Sequence, residues 1–139
     1  MAKTDRFREQ HNELLKIAGQ IVPYLKESTL SKDASAVRDL LSKLMGTLKV
    51  HLSMEDKSLY PRLVSHPDKK VSKLAKDFIA EMGGIAKAVT AYAGKWNTEE
   101  RIRAEAATFI AETKGLFDAL GKRIERENNQ LYPLLDAHG

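Results

Sequence analysis

Val37, Leu41, Leu44 and Leu48 recur at steps of four, three and four, and the same stripe runs on into His51 and Glu55. On an α-helix that spacing puts all six side chains on one face. A core-facing stripe that changes from leucine to histidine and glutamate places ionisable groups where water is scarce. Such groups are costly unless they are paired or hold a metal. Asp56 follows Glu55 directly, so on a helix it points about 100° away and is expected to be a surface charge.

Three more stripes share this period. Phe7, His11, Leu14, Ala18, Ile21 and Leu25 define a first helix, with Thr4 or Asp5 as its cap and Pro23 as a kink or stop. A polar linker is expected over residues 27–33, then a second helix from Val37 to Leu59 with Pro61 near its end. Ser65-His66-Pro67-Asp68 reads as a turn. Val71, Leu74, Phe78, Met82, Ile85, Val89, Tyr92 and Trp96 mark a third helix, with Gly83-Gly84 in its middle. There the glycines would admit close helix approach, or mark space beside Met82. The segment 97–100 links to, and can cap, a fourth helix carrying Ile102, Ala106, Phe109, Thr113, Leu116, Leu120, Arg123, Glu127 and Leu131. No run alternates with a period of two. The expected fold is all-α, an up-down-up-down antiparallel four-helix bundle occupying 1–139 as a single domain. Trp96 is expected to plug the core, Tyr60 and Tyr132 to close one end of the bundle, and His66 and His138 to be exposed.

Composition removes several function classes. There is no cysteine, which excludes disulfides, thiolate metal sites and cysteine nucleophiles. The 23 basic residues are interspersed with 19 acidic ones, so no nucleic-acid-binding patch is expected. Uncharged apolar runs are too short to span a bilayer and the N-terminus lacks a signal-peptide core, so the expected location is the cytoplasm, with no membrane partner. With no nucleophile triad, phosphate loop or helical Glu-x2-His pattern, the chain is expected not to be an enzyme.

The two halves repeat one another. Phe7-x3-His11-x2-Leu14 aligns with Phe78-x3-Met82-x2-Ile85 at an offset of 71, and Glu55-x3-Leu59-Tyr60-Pro61 aligns with Glu127-x3-Leu131-Tyr132-Pro133 at 72. Both glutamates persist, but Met82 stands opposite His11 and Arg123 opposite His51.

A helix-borne histidine, then His-x3-Glu followed by Leu-Tyr-Pro, then a second copy of the hairpin, resembles the hemerythrin-like (HHE cation-binding) domains over essentially the whole chain. The resemblance implies a metal centre in the bundle with ligands at His11, His51, Glu55 and Glu127. It also implies that half of a two-iron site is altered, because Met82 and Arg123 occupy positions where the family has histidines. Arginine cannot bind a cation, and methionine is a poor ligand for iron or zinc.

Two readings follow. In one, the chain holds at most one divalent metal ion, iron on the resemblance or zinc on the ligand set. Its role is then metal or redox handling, or sensing of a small gas such as O2 or NO, rather than O2 transport, which in the family uses both irons. In the other, the bundle holds no metal and serves as a protein-interaction or signalling module. Arg123 then lies within hydrogen-bond reach of Glu127 or Glu55 and replaces the metal's charge.

Overall fold

The computed structural model describes residues 4–138, the side chains of Met82, Gly83 and His138 excepted. Among these residues the chain is a helical bundle without strands. Helix α1 spans Asp5–Ile21 and passes into a tight 3-10 turn at Val22–Tyr24, where Pro23 ends the α-helical ladder. Helix α2 is Glu27–Met54, α3 is Tyr60–Val64 and α4 is Lys69–Lys95. Helices α5 (Glu99–Ala104) and α6 (Ala106–Arg126) meet at a break, and α7 is Tyr132–His138.

The repeat is written into the backbone as well as the residues. Helices α2 and α5 begin at Glu27 and Glu99. Non-helical angles interrupt the path at Asp33 (φ −141°, ψ 47°) and Glu105 (φ −122°, ψ 44°), and wide turns follow α2 and α6 at Glu55–Leu59 and Glu127–Leu131. Each pair is 72 residues apart. In both wide turns the tyrosine N–H reaches back five residues, from Tyr60 to Glu55 and from Tyr132 to Glu127. Pro61 and Pro133, which cannot donate, then fall at the start of the next helix, where a missing N–H costs least. The extra residue in each turn lets both neighbours in Leu59-Tyr60 and in Leu131-Tyr132 face the interior, and all four are buried.

Several expectations change. Residues 27–33 are not a polar linker: all but Asp33 lie in the first turns of α2, and Leu30 is fully buried because its turn packs on the core. On α1 the inward position is Ile17, with Ala18 only half-buried. Thr4 precedes α1 but does not cap it; its N–H and hydroxyl both donate to the Asp136 carboxylate. Thr98 does cap α5, accepting from the Arg101 N–H, and Asp68 caps α4. Gly84 is exposed, with open space where a Cβ would project, so it admits no close helix approach. Met82 and Gly83, as side chains, lie outside the described residues, as does His138. Trp96 is buried as expected and donates to Glu112.

The buried apolar residues form two clusters. One gathers Leu14, Leu44, Leu48, Phe109 and Ile124, and the other Phe7, Leu59, Phe78, Leu131 and Leu135. Along α1, α2 and α6, the chain crosses from one cluster to the other through His11, through His51 and Glu55, and through Arg123 and Glu127, all buried. A polar layer therefore divides the core. Replacing Leu30 by alanine should cost about 2–5 kcal/mol in urea unfolding, the range for a buried leucine. No measurable loss would mean that residues 27–33 are a solvated linker after all.

Candidate metal centre

Four inward-facing side chains meet in the polar layer. His11 Nε2 lies 3.1 Å from His51 Nε2 and 3.2 Å from Glu127 Oε1. These ligand atoms of His11, His51 and Glu127 all lie within 4.8 Å of one another. Glu55 adjoins the three through His51, whose Nε2 is 3.0 Å from Glu55 Oε1. That contact lies off the direction of a ring N–H, so this buried oxygen has no hydrogen-bond partner. The four residues named from the sequence are thus brought together, three of them tightly and Glu55 at the edge.

The far side of each imidazole decides what the near side can do. His11 Nδ1 is 2.9 Å from the Asn128 side-chain oxygen, and His51 Nδ1 is 2.7 Å from that of Gln10. An amide oxygen only accepts, so both Nδ1 atoms carry the proton. In the neutral ring each Nε2 then presents a lone pair to the shared space, as a metal ligand does. With both rings neutral and both carboxylates ionised, two lone pairs and two carboxylate oxygens converge there. The arrangement fits a divalent cation.

At this point the comparisons with known proteins decide the family. The model of the hemerythrin HHE cation-binding domain matches residues 2–135. The chain belongs to the hemerythrin HHE cation-binding family. No curated protein and no solved structure matches it. Membership of this family accounts for a polar layer with a candidate metal-ligand cluster, and the second half of this layer has its own chemistry.

Arg123 does not reach the carboxylate of Glu55 or of Glu127. Its Nη1 donates to Glu81 at 3.0 Å, and its Nη2 donates to the Phe78 carbonyl at 2.7 Å and to the Tyr60 hydroxyl at 2.9 Å. Arg126 pairs with the same Glu81. The expected direct contact with Glu127 is replaced by a relay, because the Tyr60 hydroxyl donates onward to Glu127 Oε2 at 3.0 Å. The repeat explains the choice of partner. Gln10 corresponds to Glu81 as His51 does to Arg123, so an amide supports the imidazole and a carboxylate supports the guanidinium.

The tyrosines are part of the centre rather than a lid. Tyr60, in the first hairpin, donates to Glu127 in the second; Tyr132, in the second, donates to Glu55 in the first at 3.1 Å and lies 3.0 Å from His11 Nε2. Sequence reasoning missed Gln10 and Asn128, although each is the immediate neighbour of a ligand. Asp56, the repeat counterpart of Asn128, is exposed as expected. His66 belongs to the turn, where its Nδ1 accepts from the Asp68 N–H.

Electrostatics follow from burial among these partners. Burial works against a charged His51, but Glu127 and Glu55 outweigh it and lift the ring to about 9. Burial raises Glu55 to about 8. Glu127 is held below the usual carboxylate range: burial opposes this, but the ring nitrogens of His11 and His51 beside it prevail. Burial drives the Tyr60 and Tyr132 hydroxyls upward, so both remain donors.

Two outcomes follow. Asn128→Ala or Gln10→Ala should weaken metal binding about 10–100-fold with helix content unchanged, as read by competition with a metal indicator. The second outcome is a pH dependence. His51 and Glu55 bind protons more tightly folded than unfolded, so their contribution to stability is complete at low pH and disappears as pH rises through about 8 to 9. The metal-free protein should therefore melt at a lower temperature at pH 9.5 than at pH 7. Metal affinity should climb over the same window, by about tenfold per pH unit for each proton displaced. A metal affinity independent of pH would contradict this assignment of protons.

Proposed function

We propose that this hemerythrin-family protein binds a single divalent metal ion through His11, His51 and Glu127, with Glu55 as a fourth ligand. The proposed role is non-enzymatic: metal or redox handling, or sensing of a small gas, rather than oxygen transport. The observation that carries the reading is the convergence of two imidazole Nε2 atoms and two carboxylates, one of whose oxygens has no hydrogen bond. Iron is favoured by family membership, and two nitrogens with two oxygens also suit zinc. Bound there, such a metal supplies a Lewis acid and, if iron, a one-electron redox centre.

The chain's own residues do the rest. Gln10 and Asn128 orient the rings, and Tyr60 and Tyr132 each hold one carboxylate oxygen so that the other faces the centre. Leu14, Leu44, Leu48 and Ile124 on one side, and Phe7, Leu59 and Leu131 on the other, keep bulk water away. Arg123 and Glu81 neutralise one another where a second ion would need ligands, which supports a single-metal site and argues against a carrier that uses two irons.

Elemental analysis of protein purified without chelator or affinity tag should give close to one metal per chain, and none in His51→Ala. Two irons per chain would overturn the single-metal reading. No metal under any loading condition would leave the metal-free interaction module in its place.

A further inference from the structure

The support behind His51 does not end at Gln10. The Gln10 amide is tied at both ends: its Oε1 accepts from His51 Nδ1 at 2.7 Å, and its Nε2 donates to the Met54 sulfur at 3.0 Å. A thioether accepts and cannot donate, so the sulfur fixes which end of the amide faces the ring. That in turn keeps the proton on His51 Nδ1 and the Nε2 lone pair toward the shared space. Three side chains thus form a line from the metal-binding layer outward to Met54.

The repeat builds the same line a second time. Met54 aligns with Arg126 at the offset of 72, as His51 does with Arg123, and Gln10 aligns with Glu81 at 71. Glu81 is held between Arg123 and Arg126 as Gln10 is held between His51 and Met54. In both halves the middle residue is anchored by the side chain three positions beyond the inner one. The anchors differ in chemistry: a soft thioether in the first half, a permanent charge in the second.

Met54 is also where solvent meets the line. It is partly buried against the cluster of Phe7 and Leu59, and it lines a groove on the outer surface of α2 with Lys49, Val50 and Lys57, of which Val50 is 54% exposed. A thioether so placed is open to oxygen transfer. A sulfur lone pair forms an S–O bond to hydrogen peroxide, the O–O bond breaks, the sulfur is oxidised by two electrons and the peroxide leaves as water. An N–H···O bond itself spans about 2.9 Å, so an oxygen between the sulfur and Gln10 would drive the amide away. An oxygen on the solvent side draws electron density from the sulfur and weakens it as an acceptor. Either way Gln10 loses its anchor.

We propose that Met54 is an oxidant-sensitive positioning residue of the metal centre. Its thioether anchors the amide that orients His51, and its oxidation to the sulfoxide by a peroxide lowers the affinity of the site for metal. This inference rests on the single-metal reading.

The test uses the full chain, freed of metal and treated with hydrogen peroxide, read by peptide mass mapping and by zinc competition with a metal indicator. Sulfoxide should form at Met54, and zinc binding should weaken about tenfold or more with helix content unchanged. Met45→Leu, which removes a partly buried methionine beside the other cluster, should show the same loss on oxidation as wild type. Met54→Leu conserves volume but removes the acceptor. It should bind zinc about as weakly as the oxidised wild type and respond no further to peroxide. In both, the His51 Nδ1–H resonance of the zinc-loaded chain should shift and exchange faster with water, a signature that a packing defect alone would not give. Undiminished zinc affinity after Met54 is oxidised, or in Met54→Leu, would overturn the proposal and leave the single-metal reading intact. So would a Met54 that peroxide leaves unmodified. An untreated chain that binds none of Zn²⁺, Fe²⁺ and Co²⁺ would overturn both.

Discussion

Two imidazole nitrogens 3.1 Å apart, each with its opposite ring nitrogen committed to an amide oxygen, need a positive charge between them. Much of the bundle's interior is arranged around that requirement. A proton on His51 meets it in the metal-free chain, and a divalent cation meets it more fully because Glu55 Oε1 also lacks a donor. The apolar clusters on either side make the requirement strict, since water cannot screen the charges. Stability and ligand chemistry therefore meet in the same few atoms.

The second half of the layer meets a similar demand differently. Arginine at position 123, where the first half has histidine, places a permanent charge in the core, and its cost is limited because the partner position differs as well. Glu81 stands where the first half has Gln10, so each cation-bearing or proton-bearing side chain has a neighbour of suitable polarity. A lone guanidinium opposite an amide would have been an uncompensated buried charge. The centre is thus two chemically distinct halves on one repeated backbone.

Much of this was legible in the sequence for a physical reason. Helical stripes report burial directly, so His11, His51, Glu55, Arg123 and Glu127 could all be placed inside from spacing alone. The duplication made the substitutions at 82 and 123 visible without any other sequence. What spacing could not give was the direction of long side chains. Arg123 has enough reach to choose among several acceptors, and it chose Glu81 and the Phe78 carbonyl over Glu127. Nor could a seam reveal Gln10 and Asn128, which reach the rings from positions beside it. The wide turns escaped notice because Glu-x3-Leu-Tyr-Pro fits an ordinary helix on paper; only the proline, lacking an N–H, hinted that the ladder must loosen there.

The crossed tyrosines have an evolutionary corollary. Because Tyr60 serves Glu127 and Tyr132 serves Glu55, neither hairpin can complete its own share of the layer. A solitary hairpin would have had to pair with a second copy of itself, as an isologous dimer does. Two separate identical chains, however, must carry the same residue at both equivalent positions, so a histidine gained or lost on one side is gained or lost on the other. Joining the copies into one polypeptide removed that restriction. It allowed one side to remain a ligand set while the other became cationic, an asymmetry that no homodimer of the ancestral unit could encode.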